Sequence, residues 1–91
     1  KKEELMEILA KGESMFPTLL DNHAYEVIIK DEYTCGDIVV FKYMNIYICH
    51  RIIKVIKNKR GDVFFKTKGD NCEKYDDFVV LPSMVIGKIN I

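Results

Sequence analysis

The chain has 91 residues, 48% hydrophobic and 31% charged, with 14 basic against 14 acidic side chains and a formal net charge of zero. That length and composition fit one folded core, which excludes both a two-domain protein and a disordered chain. The balanced charge excludes a global positive field that would recruit nucleic acid.

Taken in chain order, residues 1–11 predict a helix. Leu5, Ile8 and Leu9 recur at helical spacing with Met6 beside them, Lys and Glu fill the other face, and Gly12 stops the run. A short irregular stretch carries Ser14 to Pro17. Phe16, preceding a proline, is biased to extended geometry, and Pro17 fixes its own φ, so the backbone around Ser14 is stiff.

From Tyr25 onward the pattern is β. Tyr25 to Ile29 is rich in strand formers, and Cys35-Gly36-Asp37 reads as a turn before a strand from Ile38 to Phe41. Tyr47 to Ile56 and Val63 to Thr67 read as two further strands, joined by the hairpin chemistry of Asn58-Lys59-Arg60-Gly61-Asp62. Gly69 to Asp77 is a polar loop, and Phe78 to Leu81 and Met84 to Ile91 close the chain across Pro82-Ser83. The expectation is a single mainly β domain, small and antiparallel, with one short N-terminal helix over 1–11 and a β core over 12–91. Val27, Ile29, Val39, Phe41, Ile52, Ile53, Val55, Phe64 and Val79 are the expected core and sheet positions.

Several features carry no function of their own. Lys54, Lys57, Lys59 and Arg60 surround a turn and read as a solvated hairpin tip. Tyr43, Tyr47 and Tyr75 are scattered, without a basic stripe, so no stacking platform for bases is expected, and no nucleic-acid partner. Cys35, Cys49 and Cys72 are odd in number and in no metal-ligand spacing, so no full disulfide framework, metal or other cofactor is expected. Unpaired thiols favour a reducing compartment. No window approaches the roughly 18 apolar residues of a membrane span, and there is no signal-peptide pattern.

The chemistry concentrates in three places: Ser14 between Gly12 and Pro17, the pair His50-Arg51, and Gly69-Asp70-Asn71. They stand in the order nucleophile, base, acid. A serine hydroxyl is a poor nucleophile at neutral pH and needs a neighbouring base. A histidine is mostly neutral at pH 7, so His50 can take the Ser14 proton and return it to a leaving amine. The competing readings are a capping or loop serine and a strand histidine satisfied by its neighbours. His23 lacks any motif context and reads as a surface turn residue.

Gly12-Glu13-Ser14-Met15-Phe16-Pro17-Thr18-Leu19 resembles the serine box of type I signal peptidases and of their relatives, the self-cleaving repressor peptidases. Gly36 to Phe41 resembles their next box, Tyr47 to Ile53 the box of the general base, Thr67 to Asn71 with Asp76 the acidic box, and Val85 to Ile89 the closing strand. His50 stands where bacterial signal peptidases carry lysine, which resembles the endoplasmic-reticulum and archaeal type. The chain departs from the pattern at Asp21-Asn22-His23, where relatives often have Gly-Asp, and at Cys72, where another Asn is common. It also departs at Gly12, where some bacterial members carry a hydroxyl residue.

The resemblance implies the signal-peptidase or repressor-peptidase fold and a serine endopeptidase with a Ser–His dyad or Ser–His–Asp triad. Ser14 would be the nucleophile and His50 the base. Asp76, six residues after Asp70, is the first choice to orient His50; Asp70 is the second, and Asp77 is the neighbour that could be mistaken for Asp76. The oxyanion hole would be backbone N–H, chiefly that of Ser14, because Gly12 offers no side-chain donor. The loss of such a donor costs on the order of 100-fold in rate, so a slow enzyme or a second donor from elsewhere is expected. Met15 and Phe16 are candidates for the substrate-subsite floor, and equally for core or a surface apolar patch, while Arg51, readable as a substrate contact, reads rather as a structural salt bridge or a surface residue.

The implied partner is a peptide or preprotein bound as an added extended strand, with a membrane surface as a further partner. The activity would be cleavage of signal or leader peptides. The alternatives are a soluble leader-processing or self-cleaving relative, and a non-catalytic peptide-binding module of the same fold. The chain begins with Lys1 and not Met. With an anchor upstream, the domain would be membrane-associated with its active site outside the cytoplasm; without one, it would be cytoplasmic.

Overall fold

The computed structural model describes residues 4–91. Seven strands build one sheet: β1 (Glu4–Leu9), β2 (Ala24–Ile29), β3 (Ile38–Tyr43), β4 (Ile46–Lys57), β5 (Val63–Lys68), β6 (Val79–Val80) and β7 (Val85–Ile89). Their order across the sheet is β1-β2-β7-β3-β4-β5-β6, and every neighbouring pair is antiparallel. One turn of 3-10 helix, Pro82–Met84, precedes β7. The domain is thus mainly antiparallel β, as its strand patterns predict.

The predicted N-terminal helix is not there. Glu4–Leu9 is a strand, paired with β2 from Glu4↔Ile29 to Leu9↔Ala24; residues 1–3 of the predicted helix lie outside the described residues. A helix of about ten residues is marginal in isolation. Six residues paired on β2 outweigh a helical spacing that rests on four apolar positions. The segment also satisfies a two-residue period, with Ile8 packed against the core, Leu9 exposed and Ala10 buried. Gly12 accordingly lies in the turn that follows a strand: its φ is +87° and its N–H donates to Asp21 Oδ1 at 2.7 Å.

The central strand is β3, and its alternation divides the interior in two. Ile38 and Val40 belong to a cluster with Met15, Leu19, Val27 and Ile89. Val39 and Phe41 belong to a second cluster with Ile52, Phe65 and Val80. All four β3 residues are buried, which explains the unbroken apolar run where a half-exposed strand would alternate. In β5 and β6 the expected faces are shifted by one: Phe65 and Val80 are buried and Val79 is exposed. A one-residue slip moves a strand's whole side-chain set to the other face. Val55 is likewise exposed, next to the register shift between Ile52 and Lys54.

Two hairpins set the ends of β4. The β3–β4 connection is Met44-Asn45, with φ of 50° and 66°, the positive-φ pair that a two-residue hairpin loop requires. At the β4–β5 connection Asn58 Oδ1 accepts from the Arg60 and Asp62 N–H groups at 2.9 and 3.0 Å, and Gly61 supplies the positive φ. The β5 ladder on β4 starts only at Arg51. Ile46 to His50 therefore pair with β3 on one side, while β5 leaves their other side uncovered.

Candidate active site

Ser14 sits on the exposed turn after β1, and buried neighbours hold that turn in place. Met15 and Leu19 insert into the first core cluster, Leu19 N–H donates to Met15 O at 2.9 Å, and Phe16 N–H donates to Glu13 O at 3.1 Å. The Phe16–Pro17 peptide is cis. A second loop docks on the first. Asn71 N–H donates to Ser14 O at 2.8 Å, Asn71 Nδ2 to Glu13 O at 3.0 Å, and Asp70 N–H to Met15 Sδ at 3.2 Å. Gly69 makes this approach possible. A Cβ there would lie 2.6 Å from Ser14 O, 2.7 Å from Cys72 Sγ and 3.1 Å from His50 Nε2.

His50 lies at the boundary between the free and the β5-paired parts of β4. Its Nε2 is 3.1 Å from Ser14 Oγ, and its Nδ1 is 2.8 Å from Asp76 Oδ2. The His50 and Asp76 side chains are only 12% and 14% exposed. A carboxylate only accepts, so Nδ1 carries the proton toward Asp76 and Nε2 is left to accept from the Ser14 hydroxyl. Asp76 is held from β5: its N–H donates to Thr67 O at 2.9 Å, and its carbonyl accepts from Lys66 Nζ at 2.9 Å. Thr67 Oγ1 donates to Asp76 Oδ2 at 2.7 Å.

Asp70 faces elsewhere. Arg51 grips it with a two-pronged contact, Nε to Oδ1 at 2.9 Å and Nη2 to Oδ2 at 2.8 Å, and Thr18 Oγ1 donates to Oδ2 at 2.6 Å. The Arg51 hydrogen bond, aided by that of Thr18 and by the charges of Arg51 and Lys68, holds the Asp70 carboxyl below the usual aspartate range, against the opposing effect of burial. Arg51 also reaches Gly36 O at 2.8 Å. One guanidinium thus connects the strand of His50, the turn before β3 and, through Asp70, the serine loop. Asp77 is exposed.

A cleft of about 260 Å³ opens beside Ser14 and His50, lined among others by Ala10, Gly12, Met15 and Leu19. It shares Ala10, Lys11, Tyr47, Ile48 and Cys49 with an adjoining cleft of about 430 Å³ that extends along Met6, Ile8 and Leu9. Met15, a candidate for the subsite floor, lines the first cleft while rooted in the core; Phe16 is 49% exposed and lines neither. Gly12 lines the cleft, but its N–H is engaged by Asp21.

All three cysteines are free thiols. Burial pushes the Cys49 thiol up to about 12, which leaves it an inert wall residue. Among the described residues no cluster of three or more His, Cys, Asp or Glu could hold a metal ion, and no helix is long and apolar enough to cross a membrane. Sequence reasoning gave no role to Thr18 or Thr67. Their signal is spatial: the Thr18 hydroxyl finds an aspartate remote in sequence, and the Thr67 hydroxyl one that the loop after β5 brings back to it.

Over 49 residues the chain is 49% identical to the signal peptidase complex catalytic subunit SEC11C of Homo sapiens, Canis lupus familiaris and Mus musculus, an alignment covering 52% of this chain and 26% of each relative. The chain thus spans about a quarter of the length of these curated relatives. No family model and no solved structure matches it.

Proposed function

We propose that this domain is a serine endopeptidase of the signal-peptidase type, cleaving signal or leader peptides. The observation that carries the reading is the unbroken line Ser14 Oγ, His50 Nε2, His50 Nδ1, Asp76 Oδ2, with contacts of 3.1 and 2.8 Å. The partial identity to a signal peptidase catalytic subunit supports the substrate class.

In this reading His50 Nε2 takes the proton as Ser14 Oγ attacks the scissile carbonyl, and the Asp76 carboxylate stabilises the imidazolium that forms. The Ser14 N–H faces the developing oxyanion. Collapse of the tetrahedral intermediate expels the amine with the proton from Nε2. Water, deprotonated by His50, then hydrolyses the acyl-enzyme. The substrate lies extended in the joined clefts, beside the side of Ile46–His50 that β5 leaves uncovered, where backbone groups can pair with it. Apolar walls from Met6, Ile8 and Leu9 suit an apolar peptide. The close Ser14–His50 approach weighs against a purely peptide-binding module.

The test is cleavage of a pool of signal-peptide-like and leader-like peptides, read by mass spectrometry with the parent chain, Ser14→Ala and His50→Ala. Cuts with the parent alone are expected. A Ser14→Ala chain that cuts as fast as the parent would falsify the reading.

A further inference from the structure

We propose that Thr67 is a positioning residue: its hydroxyl fixes the Asp76 carboxylate on the imidazole of His50. The inference rests on the peptidase reading for its meaning in catalysis, but its geometry stands without it.

Thr67 lies on the inward face of β5, on the same face as Phe65, and is 0% exposed. Among the described residues it is the one buried polar side chain. The two-residue period of the strand asks for an apolar residue here, and valine would have the same shape. A buried hydroxyl is costly unless it is hydrogen-bonded. Its partner is Asp76 Oδ2 at 2.7 Å, and since the carboxylate can only accept, Thr67 donates.

One oxygen therefore accepts two hydrogen bonds, from Thr67 Oγ1 and from His50 Nδ1. The Asp76 backbone is already bracketed by Thr67 O on its N–H and Lys66 Nζ on its carbonyl. What remains free is rotation of the carboxylate, and the Thr67 hydroxyl removes that freedom. Without it the carboxylate can swing toward solvent and leave the imidazolium without its anion. The groups facing His50 are few. Ser14 comes from the turn after β1, Cys72 from the docked loop and Asp76 from the loop after β5. Val39, opposite on β3, is apolar, and Arg51 is engaged by Asp70. The ammonium of Lys66 is directed at the Asp76 carbonyl.

Thr67→Val keeps the shape and removes the donor. In peptide cleavage kcat falls roughly ten-fold with KM little changed, as for loss of one hydrogen bond to a charged group. The acidic limb of the pH–rate profile moves to lower pH, because an imidazolium deprived of its carboxylate forms less readily. Thr67→Ser restores both. In the Asp76→Asn background Thr67→Val adds nothing, whereas a purely structural role would add its loss to that of Asp76→Asn.

The deciding measurement needs no substrate: titration of the ring nitrogens by NMR in ¹⁵N-histidine-labelled protein, with His23 as internal control. In folded Thr67→Val the His50 midpoint moves to lower pH while that of His23 stays. A His50 titration that superimposes on the parent's overturns the proposal. If no sample cleaves peptide yet the midpoint moves, the positioning role stands and the peptidase reading alone fails. Should Thr67→Val not fold, Thr67→Cys, near in shape and a weak donor, gives a smaller shift in the same direction.

Discussion

Arg51 and Asp70 meet fork to carboxylate, with Nε–Oδ1 at 2.9 Å and Nη2–Oδ2 at 2.8 Å, immediately beside a histidine that turns to a different aspartate. The two aspartates of this region thus face different partners. Arg51 and Asp70 join the serine loop, through Thr18, to the strand that carries His50, and Asp76 is left to the imidazole.

The first prediction is a pH-dependent stability. The Asp70 carboxyl is held below its ordinary value, chiefly by Arg51. A depressed folded-state value contributes stability above the ordinary aspartate value, and that stability is lost as pH falls through the folded value. Asp70→Asn should melt roughly 4–8 °C lower than the parent at pH 7, equivalent to about 1 kcal/mol. As pH falls below the ordinary aspartate value and on through the lower folded-state value, the two melting curves should converge, and a gap that persists once Asp70 is protonated in the folded chain would contradict the assignment.

The second concerns the candidate nucleophile and its neighbours. Ser14→Ala and His50→Ala should each lower kcat/KM at least a thousand-fold, and Asp76→Asn by roughly a thousand- to ten-thousand-fold through the wrong imidazole tautomer. Ser14 is exposed, so Ser14→Ala should leave Tm within about 2 °C of the parent. Peptide cleavage by liquid chromatography, with a melt of each variant, separates loss of chemistry from loss of fold.

The third follows from Gly69. A Cβ at this position meets Ser14 O at 2.6 Å and Cys72 Sγ at 2.7 Å, so the serine loop has to move. Gly69→Ala should cost about 1–3 kcal/mol of stability. It should also reduce kcat by more than ten-fold, since Ser14 Oγ leaves its 3.1 Å contact with His50. Unchanged kinetics in a folded Gly69→Ala protein would show that the loop absorbs the methyl elsewhere.

The fourth is a ranking of thiols. Alkylation with iodoacetamide at pH 8 should label exposed Cys35 first and half-buried Cys49, its thiol pushed up to about 12, last. Peptide mapping at short times decides it. Early labelling of Cys49 would mean that the cleft wall opens in solution.

Much of this architecture is legible in the sequence, for identifiable reasons. The strands from Tyr25 to Thr67 stand out because β-branched runs end at Gly, Asn and Asp turns. Glu4–Leu9 was unreadable by periodicity, since a short run with Leu5, Ile8 and Leu9 fits a helix and only pairing with β2 decides against it. The Met44-Asn45 turn hides because its positive-φ residues include no glycine. Ser14, His50 and two aspartates could be named from sequence. Which aspartate reaches the imidazole depends on where the loop after β5 returns, and that is set by Thr67 and Lys66 holding the Asp76 backbone.

The two interior clusters share β3 as a party wall. Met15, beside the serine, is rooted on one side of it; Phe65, inward neighbour of the threonine that bonds Asp76, is rooted on the other. Both halves of the candidate site thus lean on β3, and the proposed activity is expected to be lost together with the fold. Cleavage rate, backbone circular dichroism and tyrosine fluorescence should then all vanish along one denaturant curve, which would make activity a gauge of the integrity of the whole domain.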